Sequence, residues 1–272
     1  SLLIELRHLD AITPSTTLEL YGERFATPIM TAALSHLDRS RPDGMTELAR
    51  GARDAGAVMW TGMGDEEELE RIVATGARTI VIIKPYADHQ LCLRRLEHAR
   101  RCGVLAVGMD VDHAFDGKGR PGEVLGWPME PKSCAQIREY VRSAQVPFII
   151  KGVLSEQDAV KCLENGVRGI VVSHHHGIQD GAVPPLQILP RIIDRLSGAM
   201  PVFVDCGIIS GLDAFKALAL GATAVSAGRV LIPPPAEDGA DGVSRRLQSM
   251  TEELAAAMAR TCSPDIRHID PS

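Results

Sequence analysis

The sequence predicts an α/β chain folded as a single-domain (β/α)8, or TIM, barrel. Three observations carry that expectation. Apolar runs of strand length alternate with amphipathic stretches of helical period, eight of each. A glycine followed by Ala or Val recurs at junctions between a helical stretch and the next strand. Ala, Val, Ile and Gly are plentiful while aromatic residues make up only 4%, a composition suited to a parallel sheet covered by helices. Eight βα units within about 230 residues fit a closed barrel, because an open doubly wound sheet would need fewer strands or a second domain.

In chain order, residues 1–27 form an extension ahead of the first strand. Strands are expected at Ile29–Ala33, Val58–Thr61, Thr79–Ile83, Leu105–Asp110, Phe148–Lys151, Gly169–Ser173, Val202–Asp205 and Ala224–Ala227. Helices are expected between them at Thr46–Ala55, Glu66–Ala74, His89–Cys102, Cys134–Ala144, Ser155–Asn165, Pro185–Leu196 and Leu212–Leu220, with Gly242–Arg260 closing the barrel. Ser155 stands ahead of Glu156-Gln157-Asp158, an N-cap followed by an acidic first turn. Gly56, Gly76, Gly103, Gly166 and Gly221 fall where a left-handed residue ends a helix. The one long irregular connection is Val111–Ser133, and its run Asp116-Gly117-Lys118-Gly119-Arg120-Pro121-Gly122 is expected to lack regular structure. It follows strand four on the reactive face of a barrel, which makes it a candidate mobile loop. The barrel proper spans 28–262, and 263–272 form a C-terminal tail.

The 272 residues carry a net charge of −6 with no dense Lys/Arg stripe, so neither nucleic acid nor an anionic membrane surface is an expected partner. The longest apolar runs are strand-sized, far short of the roughly 18 residues of a membrane span. Ser1–Asp10 lacks the basic-then-apolar order of a signal peptide. Six cysteines are scattered without a CxxC pair, which reads as reduced thiols used for packing in a cytoplasmic protein.

Chemistry in a barrel is done at the C-terminal ends of its strands. Those ends carry Thr61, Lys84, Asp110, Lys151, Ser173 with His174-His175-His176, Asp205, and Gly228-Arg229. Lys151 reads either as the partner of Asp110 or Asp205, or as a fixed cation beside an anionic cofactor or intermediate. Successive residues of an extended chain project in different directions, so the three histidines are not expected to converge on a metal; one of them suits a general base. Asp205-Cys206-Gly207-Ile208-Ile209-Ser210-Gly211 is a Gly-rich turn into a helix, and Gly228-Arg229 ends the eighth strand. The loops after strands seven and eight bind phosphate in many barrels. Whether that phosphate belongs to a cofactor or to a substrate is left open by these residues.

In combination the motifs are specific. Lys151-Gly152-Val153-Leu154, Gly169-Ile170-Val171-Val172-Ser173-x-His175-x-Gly177, Asp205-x-Gly207-Ile208, Phe215-Lys216-Ala217-Leu218-Ala219-Leu220-Gly221-Ala222 and Gly228-Arg229 resemble the FMN-dependent α-hydroxy-acid oxidase/dehydrogenase family. The similarity is strong from Lys151 to Cys262 and weaker, but continuous, back to Pro28. Ile83-Lys84-Pro85 and Met109-Asp110-Val111-Asp112 resemble the shorter bacterial members. The resemblance implies FMN as cofactor and oxidation of a 2-hydroxy acid or related hydroxy compound by hydride transfer to the flavin. His175 would be the base, Asp110 its orienting carboxylate, and Lys151 the cation beside the reduced ring. Asp205, Gly207, Ser210, Gly228 and Arg229 would hold the ribityl phosphate, with Ala33, Leu34, Ser35, Thr61, Lys84 and Ser173 also on the flavin. A homo-oligomer, often a tetramer, is implied as well. Ser1 opens without the helical segment that covers the barrel bottom in the family, as a truncated chain would.

The departures bear on substrate. The family motif S-N-H-G-G-R reads Ser173-His174-His175-His176-Gly177-Ile178, so the arginine that clamps the substrate carboxylate is replaced by Ile178. A second arginine position holds Ile209, a glycine position holds Cys206, and the strand-three glutamine and tyrosine positions hold Ile82 and Lys84. An arginine fork gives a carboxylate two charge-assisted bonds, and isoleucine gives none. Either Lys84, Lys118 or Arg120 takes over that contact with His175 at the substrate, or the substrate is not a simple 2-hydroxy acid. The alternatives are a divergent FMN- or phosphate-ligand-binding barrel with lost or non-redox activity, an isomerase of the isopentenyl diphosphate type, and a flavin-free aldolase or epimerase using Lys151. His176 stands where glycine is usual, so a reshaped loop is expected there.

Overall fold

A computed structural model describes residues 3–39, 41–62 and 64–270. Eight parallel strands form one sheet: β3 (Ile29–Thr31), β4 (Met59–Thr61), β5 (Thr79–Ile83), β6 (Ala106–Asp110), β9 (Phe148–Val153), β10 (Ile170–Val172), β11 (Val202–Val204) and β12 (Ala224–Ala227). Their order is β3-β12-β11-β10-β9-β6-β5-β4. The two ends of that order meet, because the Thr31 N–H donates to the Val58 carbonyl at 3.2 Å and Leu34 bridges to Thr61. The sheet is therefore a barrel. One residue from each strand, Ile29, Met59, Ile80, Val107, Ile149, Ile170, Phe203 and Val225, is 0% exposed. Burial of such side chains stabilises by about 1.5–3 kcal/mol each before chain entropy is counted. Trp60 on β4 meets Phe203 on β11 edge-on at 5.4 Å, and as those strands are not neighbours the contact runs through the barrel interior.

The helices are α1 (Gly44–Asp54), α2 (Glu66–Ala74), α3 (His89–Arg101), α4 (Cys134–Ala144), α5 (Glu156–Glu164), α6 (Pro185–Leu196), α7 (Gly211–Ala219) and α8 (Pro233–Ala259). Side-chain caps start most of them: Asp65, Asp88, Ser133, Ser155 and Ser210 each accept a backbone N–H of the first turn. The five glycines read as C-caps all have positive φ, from 66° at Gly56 to 99° at Gly221. α8 begins nine residues before the expected Gly242 and breaks at Gly239 (φ 61°, ψ −143°), where Glu47 accepts the Ala240 N–H at 2.7 Å and caps the second segment.

Two short hairpins lie outside the barrel. β1 (Leu18–Leu20) and β2 (Glu23–Phe25) pair within the N-terminal extension through a two-residue Tyr21-Gly22 turn, both residues at positive φ as such a turn requires. The Tyr21 hydroxyl donates to the Arg168 carbonyl at 2.9 Å, fixing the hairpin against the segment that leads into β10. β7 (Glu123–Val124) and β8 (Trp127–Pro128) fold the second half of the loop after β6 into a small ribbon. That loop is thus less irregular than expected. Its Asp116 side chain accepts the backbone N–H groups of Lys118 and Arg120 at 2.8 and 3.0 Å and closes the Gly-rich turn.

Candidate active site

The barrel brings together ionisable groups that are far apart in sequence. Asp110 and Lys151 are register partners at the end of the β6–β9 pairing. Lys84 follows β5, His175 follows β10 and Asp205 follows β11. The Lys84 ammonium lies 2.6 Å from Asp110 Oδ2, and the Lys151 ammonium lies 3.2 Å from Asp110 Oδ1 and 3.6 Å from Asp205 Oδ2. Lys151 is therefore ion-paired, and it also lines a cavity. His175 Nδ1 lies 3.0 Å from Asp112 Oδ1 and 3.4 Å from Asp110 Oδ1, with Lys151 Nζ at 3.2 Å. An ionised carboxylate only accepts, so Nδ1 carries the proton that faces Asp112. The His175 backbone is held too, at φ 43° with its N–H donating to Ser173 Oγ at 3.0 Å.

Burial and charge set the protonation states. Burial pulls Lys151 down, but Asp110, Asp205 and Asp112 outweigh it and hold the ammonium well above its ordinary value. Burial pushes Asp110 up, yet Lys151, His175 and Lys84 hold it well below the usual carboxylate range. Lys84 is lowered, chiefly by burial. Burial likewise raises Asp112. His175 is pulled down by burial and raised further by Asp110 and Asp112, to about 9. His113 is lowered to about 4 by burial and by the positive charges of Lys84 and His175. Ligand-type atoms of Asp110, Asp112, His113 and His175 lie within 4.8 Å of one another. Two ammonium groups already face Asp110, however, and would repel a metal cation there.

A cavity of about 320 Å³ opens beside this cluster, within the usual size for small-molecule sites. Ala33, Leu34 and Ile82 give it apolar wall; Lys84, Asp110, Lys151, His175 and Asp205 give it charge; Gly207, Gly228 and Arg229 complete it with Ser35. Of the remaining residues singled out in the sequence, Thr61 is buried beside a smaller neighbouring cavity that shares Gly62. Ser173 is buried and spends its hydroxyl on His175. Ser210 caps α7 by accepting the Asp213 N–H at 3.1 Å. Lys118 and Arg120 do not line the cavity; Arg120 is held by Asp116 at 2.8 Å. Ile178 and Ile209 are 40% and 58% exposed. Asp112 and His113 were not singled out. The available signal was a second carboxylate and an imidazole directly after a strand-ending aspartate, and the single 3-10 turn that aims them at His175 (Val111–Ala114) leaves no periodicity to read.

A family model described as FMN-dependent dehydrogenase matches residues 2–137 and 128–272 of the chain. The chain belongs to that family. It is 32% identical to 4-hydroxymandelate oxidase of Amycolatopsis orientalis, over 93% of this chain and 80% of the relative. It is 31% identical to L-lactate oxidase of Alicycliphilus denitrificans, over 95% and 81%, and 27% identical to glycolate oxidase of Spinacia oleracea, over 97% and 81%. A solved structure of a mandelate oxidase variant with a monooxide FMN adduct superposes with a TM-score of 0.89 at 32% identity, covering 97% of this chain and 84% of that one. As a member of this family the chain is an enzyme with FMN as its cofactor, and its residues fit one. Gly207, at φ 88°, faces open cavity, where a Cβ would meet no protein atom within 4 Å. Arg229 is exposed and makes no ion pair among the described residues, as a phosphate ligand would be before its anion arrives.

Proposed function

We propose that this protein oxidises a 2-hydroxy acid to the 2-keto acid. The observation that carries the reading is the placement of His175, anchored at Nδ1 by Asp112, on the wall of the cavity that fits the flavin. FMN, when bound, supplies the acceptor for the electron pair that leaves the substrate carbon. His175 takes the hydroxyl proton at Nε2. Asp112 and Asp110 hold the ring in the required tautomer and stabilise the imidazolium. Lys151 keeps a fixed positive charge at this wall, where negative charge accumulates. Arg229 and the backbone at Gly207 and Gly228 bind the phosphate, Asp205 the ribityl chain, and Ala33, Leu34 and Ser35 lie along the ring, with Thr61 beside it. Of the three cations considered for the substrate carboxylate, Lys84 alone lines the cavity, and it takes that role here.

The named relatives are oxidases, which supports dioxygen as the final electron acceptor; peroxide formation tests this. A Schiff-base reaction is disfavoured because two carboxylates keep Lys151 protonated and the amine must be neutral to attack. Six free cysteines support a reducing cytoplasm, no helix among the described residues is long and apolar enough to cross a membrane, and a homotetramer is the assembly we infer. The test of function is the visible flavin band. Anaerobic glycolate, lactate, mandelate or 4-hydroxymandelate should bleach it. A protein that stays colourless after reconstitution with FMN, or a yellow one that no hydroxy acid bleaches, overturns the reading.

A further inference from the structure

We propose that His113 is a second imidazole of the substrate site, and that it grips the substrate's hydroxyl oxygen jointly with His175. This rests on the oxidation proposed above. The Nε2 atoms of the two rings lie 3.0 Å apart, the rings edge-on with centroids 4.1 Å apart and planes at 81°. One hydrogen fits between those nitrogens. In the neutral form that acts as the base, His175 commits its Nδ1 hydrogen to Asp112 at 3.0 Å, so its Nε2 offers a lone pair and the hydrogen between the rings belongs to His113. Burial and the neighbouring cations keep His113 neutral at working pH, with its pKa near 4, so it carries one N–H and no charge.

The arrangement selects a hydroxyl. An alcohol oxygen that approaches beside the pair and replaces their mutual hydrogen bond donates its hydrogen to His175 and accepts the N–H of His113, using one donor and one lone pair. An ammonium group cannot accept, and an ether or ketone oxygen cannot donate. In the reaction the O–H bond breaks and its proton goes to His175 Nε2. The C–H bond breaks with its electron pair passing to the family's flavin, and the C–O bond becomes the keto group. The His113 N–H stays on that oxygen throughout, as an oxyanion-type donor. Asp112 and His113 approach opposite nitrogens of one ring because a single 3-10 turn, Val111–Ala114, follows β6. Gly152 allows it: at φ 95° a Cβ there would lie 2.7 Å from the Asp112 carboxyl carbon. Lys84 from the end of β5, Asp110 from β6, Lys151 from β9 and Asp205 after β11 complete the charges around the pair.

The test uses FMN-loaded protein and two unreactive probes, benzoylformate and phenylacetate, which differ by the keto oxygen; pyruvate and propionate serve if lactate is the acid that bleaches. Above about pH 9, where His175 is neutral and His113 is the N–H donor of the pair, wild type should bind the keto acid roughly 10-fold more tightly, as read from the perturbed flavin spectrum. His113→Phe keeps the ring volume but has no N–H, so it should lose this preference while its affinities for FMN and phenylacetate hold. Flavin reduction by the hydroxy acid should slow by roughly 100-fold. His113→Gln, which retains an N–H donor, should restore most of the preference. If His113→Phe keeps the wild-type preference, the proposal is wrong. Failure of the oxidase reading looks different, since wild type itself would then not be bleached by any hydroxy acid.

Discussion

His175 must be neutral to accept a proton, and its surroundings oppose that at neutral pH. The carboxylates of Asp110 and Asp112 lift its pKa to about 9, so the active base fraction falls tenfold per pH unit below that value. The rate of flavin reduction at low substrate should therefore rise with pH and level off above about 9; stopped-flow measurements giving a flat profile across neutral and alkaline pH would contradict the assignment. Asp112→Asn removes one of the raising carboxylates. It should shift the break to lower pH and, by loosening the ring, lower the limiting rate roughly 10- to 100-fold. His175→Ala should keep the yellow colour and slow reduction by at least about 100-fold; reduction at the wild-type rate would remove His175 from its role. Lys151, His175 and Asp110 were legible because each follows or ends an apolar run. Asp112 and His113 were not, because their direction depends on one turn of 3-10 helix and on the missing side chain of Gly152.

Among the elements, the loops after β10 and β11 carry an uncommon backbone. His176 (φ 66°) and Cys206 (φ 64°) both take the left-handed conformation, which costs roughly 1–2 kcal/mol for a residue with a side chain. The two touch: the His176 N–H donates to Cys206 Sγ at 3.3 Å, and the Cys206 thiol donates to Asp205 Oδ1 at 2.9 Å. The loop accommodates His176 by straining it. His176→Gly should accordingly stabilise the protein by about 1 kcal/mol, the greater freedom of the unfolded glycine offsetting part of the gain; an unchanged or lower urea midpoint would refute the strain argument. Burial and Asp205 push the Cys206 thiol up to about 11, so this cysteine should resist iodoacetamide at neutral pH. Helix ends were readable at this scale, since caps and left-handed glycines act locally. The β7–β8 ribbon was not, since two-residue strands have no detectable period.

Over the whole molecule, barrel closure packs α8, the last helix, on α1, the first. Gly51 makes that approach possible: a Cβ there would lie 2.4 Å from Val243 Cβ and 2.6 Å from the Ala240 carbonyl oxygen. Gly51→Ala should cost about 1–3 kcal/mol by overpacking, measured as a lowered thermal midpoint, even though alanine is the better helix former. Stripping FMN should also lower the midpoint; restoring it at 100 times its dissociation constant should return about 2.7 kcal/mol by mass action. No change on reloading would mean that the cavity does not hold the flavin in the folded state.

Sequence alone was enough for the eight βα units, for the helix termini other than the start of α8, and for the ring of polar groups at the strand ends. All of these follow from local rules: the side-chain period of strand and helix, the hydrogen-bonding of caps, and the freedom of glycine. Which polar groups meet was decided only by the tertiary structure. Register sets Asp110 against Lys151, barrel closure brings the β3 and β4 ends together, and the turn after β6 places two imidazoles nitrogen to nitrogen. Distances of this kind depend on how separate strands align around a closed sheet, and no stretch of chain shorter than the barrel contains that information.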